Sequence, residues 1–252
     1  MLRIVQFEIP GQGRRVGVVE GDVVRDLTSV RSEWQRVFDV FESARRAERK
    51  MVDLLQMALD EHDCATRKYA ELLSAKPGGE AAYLVAPIDH IEPHRLMISG
   101  TGLTHLGGMK SRNQMHGGQE PKTAAETPQT DSARMFAMGI EGGKPTDGNR
   151  GVAPEWFFKG NGTHLRGPNE TLEVPAFALD GGEEPEIAGV YINDDDGTPH
   201  RIGFALGNEW SDHATERINY LYLVPSKLRM CALGPEIAIG HDADRAAVGV
   251  DD

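Results

Sequence analysis

Apolar and polar residues alternate through Val16-Gly17-Val18-Val19 and Val23-Val24-Arg25-Asp26-Leu27, with Glu20-Gly21-Asp22 between them. A period of two around a turn triplet predicts a β-hairpin within residues 2–28, led by the strand-like start Met1-Leu2-Arg3-Ile4-Val5-Gln6-Phe7. The period then changes. Trp34, Val37, Phe38 and Phe41 recur at helical spacing, as do Met51, Leu54, Leu55, Ala58 and Leu59. Residues 31–74 therefore read as helical, with Thr28 or Ser29 as cap and Lys76-Pro77-Gly78-Gly79 as the stop. That stripe is core, not a cofactor site. Tyr83-Leu84-Val85-Ala86-Pro87 and Arg95-Leu96-Met97-Ile98-Ser99 read as strand, loop, strand, while residues 117–150, poor in apolar side chains and rich in Gly, Thr, Pro and Gln, predict a mobile loop. No sequence repeat runs through the chain.

A second hairpin carries candidate chemistry. Glu184-Pro185-Glu186 leads into Ile187-Ala188-Gly189-Val190-Tyr191-Ile192, then a turn cluster Asn193-Asp194-Asp195-Asp196-Gly197-Thr198-Pro199, then His200 to Leu206 and Asn208-Glu209. Strand side chains alternate faces, so Glu184 and Glu186 point the same way. Folding the two runs back about Asp196-Gly197 sets position 184 opposite 209 to within about one residue. Three carboxylates converging at the open end of one hairpin repel one another unless a cation lies between them. All-oxygen ligation suits Mg²⁺, Mn²⁺ or Ca²⁺. Solvated surface acids are the plain alternative in a chain with 39 Asp and Glu residues and a net charge of −12.

That acidity argues against nucleic acid or an anionic membrane as partner. A hydrophobic fraction of 39% over 252 residues allows a packed core. No apolar run reaches the roughly 20 residues a bilayer requires. The two cysteines, Cys64 and Cys231, are too far apart in sequence to make a disulfide framework, and with no signal peptide they point to a reducing cytoplasm.

The stretch from about Met97 to Pro235 resembles the catalytic domain of the fumarylacetoacetate hydrolase superfamily. Its blocks are Ser99-Gly100-Thr101-Gly102-Leu103-Thr104-His105, Trp156-Phe157-Phe158-Lys159-Gly160, Glu184-Pro185-Glu186-Ile187-Ala188, Gly203-Phe204-Ala205-Leu206-Gly207-Asn208-Glu209-Trp210-Ser211, and Ser226-Lys227 leading to Leu233-Gly234-Pro235. Each block alone is weak; their order is the specific signal. The likeness is greatest to a bacterial sugar-acid branch that includes 2-keto-3-deoxy acid dehydratases. The resemblance implies metal ligands Glu184, Glu186 and Glu209, substrate contacts at Thr101, Gly102 and Asn208, and acid–base candidates Lys159, Lys227 and His105, with His116 possible. It also implies that Lys227 lies on the strand leading to the Leu-Gly-Pro segment. Many members carry Asn-Asp where this chain has Asn208-Glu209.

A 2-oxo acid chelates a hard cation, which acidifies its C3 protons and stabilises the resulting enolate. Loss of a β-hydroxyl is then dehydration. Attack of water on a neighbouring carbonyl is C–C hydrolysis, as of an acylpyruvate or 2,4-diketo acid. The hydrolases carry a His where Gly108 stands here, so the resemblance favours the dehydratase.

The implied fold is α+β: a small N-terminal α/β domain over residues 1–80, then a mixed β-roll over 83–252. Only seventeen residues follow Pro235, where family members add further strands. The roll is therefore expected to be incomplete on its C-terminal side, the tail from His241 offering little apolar cover. Homodimerisation or higher self-association is expected, and an inactive truncated remnant is the non-enzyme alternative.

Overall fold

The computed structural model describes residues 1–102, 131–142, 148–153 and 156–240. The predicted first hairpin becomes a meander of β1 (Leu2–Ile9), β2 (Gly13–Glu20) and β3 (Val23–Asp26), all antiparallel. Gly21 at φ +60° supplies the turn between β2 and β3. β1 is buried on both faces. Ile4 packs with Val16, Val18 and the helices, and Val5 and Phe7 pack with Val19, Val24, Leu72 and Leu84.

The helical region is less uniform than its pattern. α1 (Val37–Arg46) buries Val37, Val40, Phe41 and Ala44, and α2 (Met51–Glu61) buries Leu55, Ala58 and Leu59, as the spacing requires. The chain then forms β4 (Ala65–Lys68) before α3 (Tyr69–Ser74). Ala65-Thr66-Arg67-Lys68 lacks an apolar period of its own, and the free edge of β3 recruits its backbone. Thr28 does not cap α1. Its hydroxyl accepts from Val16 N (2.8 Å) and donates to Trp34 O (2.6 Å). The first turn of α1 is satisfied by the buried Gln6, whose Oε1 accepts from Val37 N at 2.7 Å.

Downstream come β5 (Tyr83–Leu84), β6 (Met97–Thr101), α4 (Asp131–Gly142), β7 (Trp156–Asn161) and β8 (Leu165–Arg166). They are followed by β9 (Pro185–Asn193), β10 (Pro199–Asn208), α5 (His213–Ile218), α6 (Leu223–Lys227) and β11 (Cys231–Ile239). α4 corrects the expected loop over 117–150. Its run Ala133-Arg134-Met135-Phe136-Ala137-Met138 favours helix, and averaging over a Gly- and Thr-rich segment concealed that. Residues 117–130 and 143–147 of that segment lie outside the described residues, as do His105, His116 and the tail from His241.

One mixed sheet runs β4-β3-β2-β1-β11-β10-β9, with β5 on β1 and β8 parallel to β11; β6 and β7 form a second. Leu2–Ile4 of β1 pair with Ile237–Ile239 of β11, so the N-terminal meander and the second hairpin share one sheet. The inner face of β9 and β10 buries Val190, Ile192 and Ala205, while Ile187, Tyr191 and Leu206 are exposed on the other. The hairpin tip docks on α1 through Arg45–Asp195 (2.7 Å) and a tilted Phe41–His200 ring contact. Both cysteines are buried and free, and among the described residues no helix is long and apolar enough to cross a membrane.

Candidate metal centre

The second hairpin closes on the expected register. Its turn pairs Pro199 with Asn193 and Arg201 with Tyr191, a bulge between Arg201 and Gly203 shifts the ladder by one, and Asn208 ends opposite Pro185. Just beyond, Glu209 N donates to Glu184 O at 2.9 Å. The side chain of Asn208 finishes the junction, its Oδ1 accepting from both Glu184 N (3.1 Å) and Trp210 N (3.2 Å). That oxygen therefore holds the two carboxylate-bearing segments together.

Glu184, Glu186 and Glu209 each bring a carboxylate oxygen to a place where all three lie within 4.8 Å of one another. Ligand distances of about 2.0–2.6 Å put oxygens around one cation no more than about 5 Å apart. The set fits a hard divalent ion: three carboxyl oxygens, no sulfur and no imidazole.

Two lysines flank the cluster from different directions. Lys159, on β7, is fully buried and donates to the carbonyl of Trp210 at 2.7 Å. Burial pulls its pKa down to about 8, against the opposing pull of Glu209. Lys227 is not on a strand as expected. It ends the short helix α6, because Leu223-Val224-Pro225-Ser226-Lys227 turns before β11 begins, with Pro225 in the first turn. From there Nζ donates to Glu184 Oε1 (2.6 Å), Glu209 Oε2 (3.0 Å) and Ser211 Oγ (3.1 Å), with Glu216 at 3.2 Å. Burial disfavours its charge, but Glu209, Glu184 and Glu216 together raise the Lys227 pKa above the ordinary lysine range.

The carboxylates divide accordingly. Burial pushes Glu209 up to about 8, and the hydrogen bond and charge of Glu184 add to it despite Lys227. Burial acts on Glu184 in the same sense, yet the His213 hydrogen bond and Lys227 outweigh it and hold that carboxyl well below the usual range. Glu209 thus keeps a proton that Glu184 has lost.

A cavity of about 830 Å³ opens on this cluster, with Lys159, Glu186, Asn208, Glu209 and Cys231 in its wall. From β6 the wall takes Ser99 and Gly100. Thr101 is exposed at the strand end, paired with Trp156, and Gly102 follows it. Gly100 is the close neighbour: a Cβ there would overlap the Phe157 ring and Glu209 Oε1.

Sequence reasoning missed His213, Ser211 and Glu216. Asp212 caps α5 by accepting from Thr215 N at 2.8 Å, which presents His213 and Glu216 toward the cluster. His213 Nε2 lies 2.8 Å from Glu184 Oε1, and Glu216 accepts from Ser226 Oγ at 2.7 Å. The signal was the Asp212-x-x-Thr215 cap directly after a candidate ligand.

No family model matches the chain, and no curated protein matches it. Among solved structures it is similar to a hexagonal crystal form of 2-keto-3-deoxyarabinonate dehydratase, at 17% identity and TM-score 0.57, over 94% of this chain and 67% of that one. It is similar also to 2-keto-3-deoxy-D-arabinonate dehydratase complexed with magnesium and 2,5-dioxopentanoate, at 17% identity and TM-score 0.56, over 94% and 66%. The apo form of that dehydratase matches at 17% identity and TM-score 0.54, over 94% and 66%. The chain spans about two thirds of the length of these structures. Its described elements therefore have the fold of those dehydratase structures.

Proposed function

We propose that this chain is a divalent-metal-dependent enzyme acting on a 2-oxo sugar acid, and that its reaction is dehydration of a 2-keto-3-deoxy acid. The observation that carries this reading is the meeting of three carboxylates within 4.8 Å, two of which, Glu186 and Glu209, share the wall of one cavity with the buried Lys159. Glu184, Glu186 and Glu209 would hold Mg²⁺ or Mn²⁺, with Ca²⁺ the third candidate. The bound cation supplies a Lewis acid that polarises the 2-oxo group and acidifies the C3 protons. Lys159, held at about 8 by burial, loses its own proton near pH 8, and its neutral form accepts one from C3. It returns that proton to the β-hydroxyl at C4, which leaves as water with the electron pair of the C4–O bond. Lys227 stays charged and turned onto Glu184 and Glu209, so it orients carboxylates and moves no proton.

The test is an assay of the purified chain with Mg²⁺ or Mn²⁺ against a panel of 2-keto-3-deoxy acids and acylpyruvates. Loss of a 2-keto-3-deoxy acid with formation of a dicarbonyl product supports the dehydratase. Turnover of acylpyruvates alone replaces it with C–C hydrolysis. Mn²⁺ binding no tighter in the native chain than in Glu184→Gln overturns the metal reading and leaves a remnant of the fold.

A further inference from the structure

Glu184 is the ligand whose surroundings are most completely built, and they lie behind it. One oxygen, Oε1, faces both His213 Nε2 at 2.8 Å and Lys227 Nζ at 2.6 Å. Facing a carboxylate oxygen, Nε2 carries the ring hydrogen and donates it. A carboxylate oxygen has two lone-pair directions, and here two donors take both. Oε2 is left.

The imidazole is seated for this contact. His213 opens α5 directly after its cap Asp212, which also accepts from Leu179 N at 2.9 Å. Its ring rests on Gly182, where a Cβ would overlap Nδ1 and Cε1, and the Gly182 backbone pairs with Ser211 through bonds of 2.7 and 2.8 Å. Among the described residues, the cavity wall contains Glu186 and Glu209, and Glu184 lies just behind it, between those two carboxylates and the pair His213 and Lys227, neither of which is in the wall. The histidine therefore grips the ligand from the protein side.

We infer that His213 is a positioning residue that fixes Glu184 to bind the cation through Oε2 alone, and thereby selects a small octahedral ion over Ca²⁺. The inference rests on the metal reading above. Mg²⁺ and Mn²⁺ accept single oxygens in a six-fold shell at short distance. Ca²⁺ takes six to eight oxygens and gains from carboxylates that chelate with both. With Oε1 occupied by two hydrogen bonds, Glu184 has only one oxygen to give. Removing the histidine donor frees Oε1 for chelation.

The experiment measures Mn²⁺ affinity by electron paramagnetic resonance and Ca²⁺ affinity by competition, in the native chain, His213→Phe, His213→Gln and Glu184→Gln. His213→Phe keeps a ring over Gly182 and removes the donor. It should weaken Mn²⁺ by about 10–100-fold, as losing a partner behind a metal ligand does, and shift the Ca²⁺-to-Mn²⁺ affinity ratio toward Ca²⁺ by about tenfold or more. His213→Gln, which retains an N–H donor, should restore most of the native ratio. A merely structural histidine would change both affinities together and leave the ratio alone. That result overturns the inference while the metal reading stands. Native chain that binds Mn²⁺ no better than Glu184→Gln overturns both. Should His213→Phe fail to fold, Gly182→Ala displaces the same ring and is read by the same ratio.

Discussion

Metal binding at Glu209 requires the carboxyl to lose a proton that burial and the neighbouring Glu184 favour keeping up to about pH 8. Below that pH each bound cation must expel the proton, so Mn²⁺ affinity should rise about tenfold per pH unit and then level off above about 8. A titration from acid to alkaline pH checks both slope and plateau, and a flat profile would remove Glu209 from the ligand set. Gly100 tests the same carboxylate sterically. Gly100→Ala forces its Cβ into the Phe157 ring and Glu209 Oε1, and one of them must move. The expected cost is about 1–3 kcal/mol of stability from overpacking, read by urea denaturation. Loss of Mn²⁺ affinity should accompany it; unchanged affinity would mean that the ring alone gives way.

At the scale of elements, one side chain caps α5 and ties it to its surroundings. Asp212 accepts from Thr215 N and from the Thr215 hydroxyl, both at 2.8 Å, from Leu179 N at 2.9 Å, and pairs with the buried Arg229 at 3.4 Å. Burial opposes its charge, but these donors hold its pKa down at about 2. A folded pKa below the unfolded value stabilises the fold above about pH 4, and the contribution is lost as pH falls toward about 2. Asp212→Ala should cost about 2–3 kcal/mol at neutral pH, from a lost cap and an uncompensated arginine, and should flatten the acid limb of a stability–pH profile. A profile identical to that of the native chain would show that Asp212 contributes nothing to the acid sensitivity. The second hairpin was legible in sequence because Asp196-Gly197 fixes a turn and side-chain alternation fixes faces. The three carboxylates follow from those two facts. What could not be read came from contacts distant in sequence. β4 exists because β3 has a free edge, the first turn of α1 is satisfied by Gln6 from another strand, and His213 matters because Gly182 leaves room for its ring.

Over the whole molecule, one sheet carries both the N-terminal meander and the hairpin that bears the acids. Ile237 lies fully buried where β11 meets β1, opposite Ile4 and in the core shared with α1 and α2. Ile237→Ala should cost about 2–5 kcal/mol and lower the stability of both halves in a single unfolding transition. Two separate transitions, only one of them shifted, would instead show that residues 1–80 fold as an independent domain. The pairing of β1 with β11 has another consequence, which concerns time. Arg3 and Glu236, joined across that seam, are 233 positions apart. At about 5–20 residues per second of synthesis, β1 leaves the ribosome on the order of ten to fifty seconds before its neighbour exists. Throughout that interval part of its edge presents unpaired amides and carbonyls to any other nascent strand. The growing chain is thus open to misassociation along β1, and arrival of β11 ends that exposure.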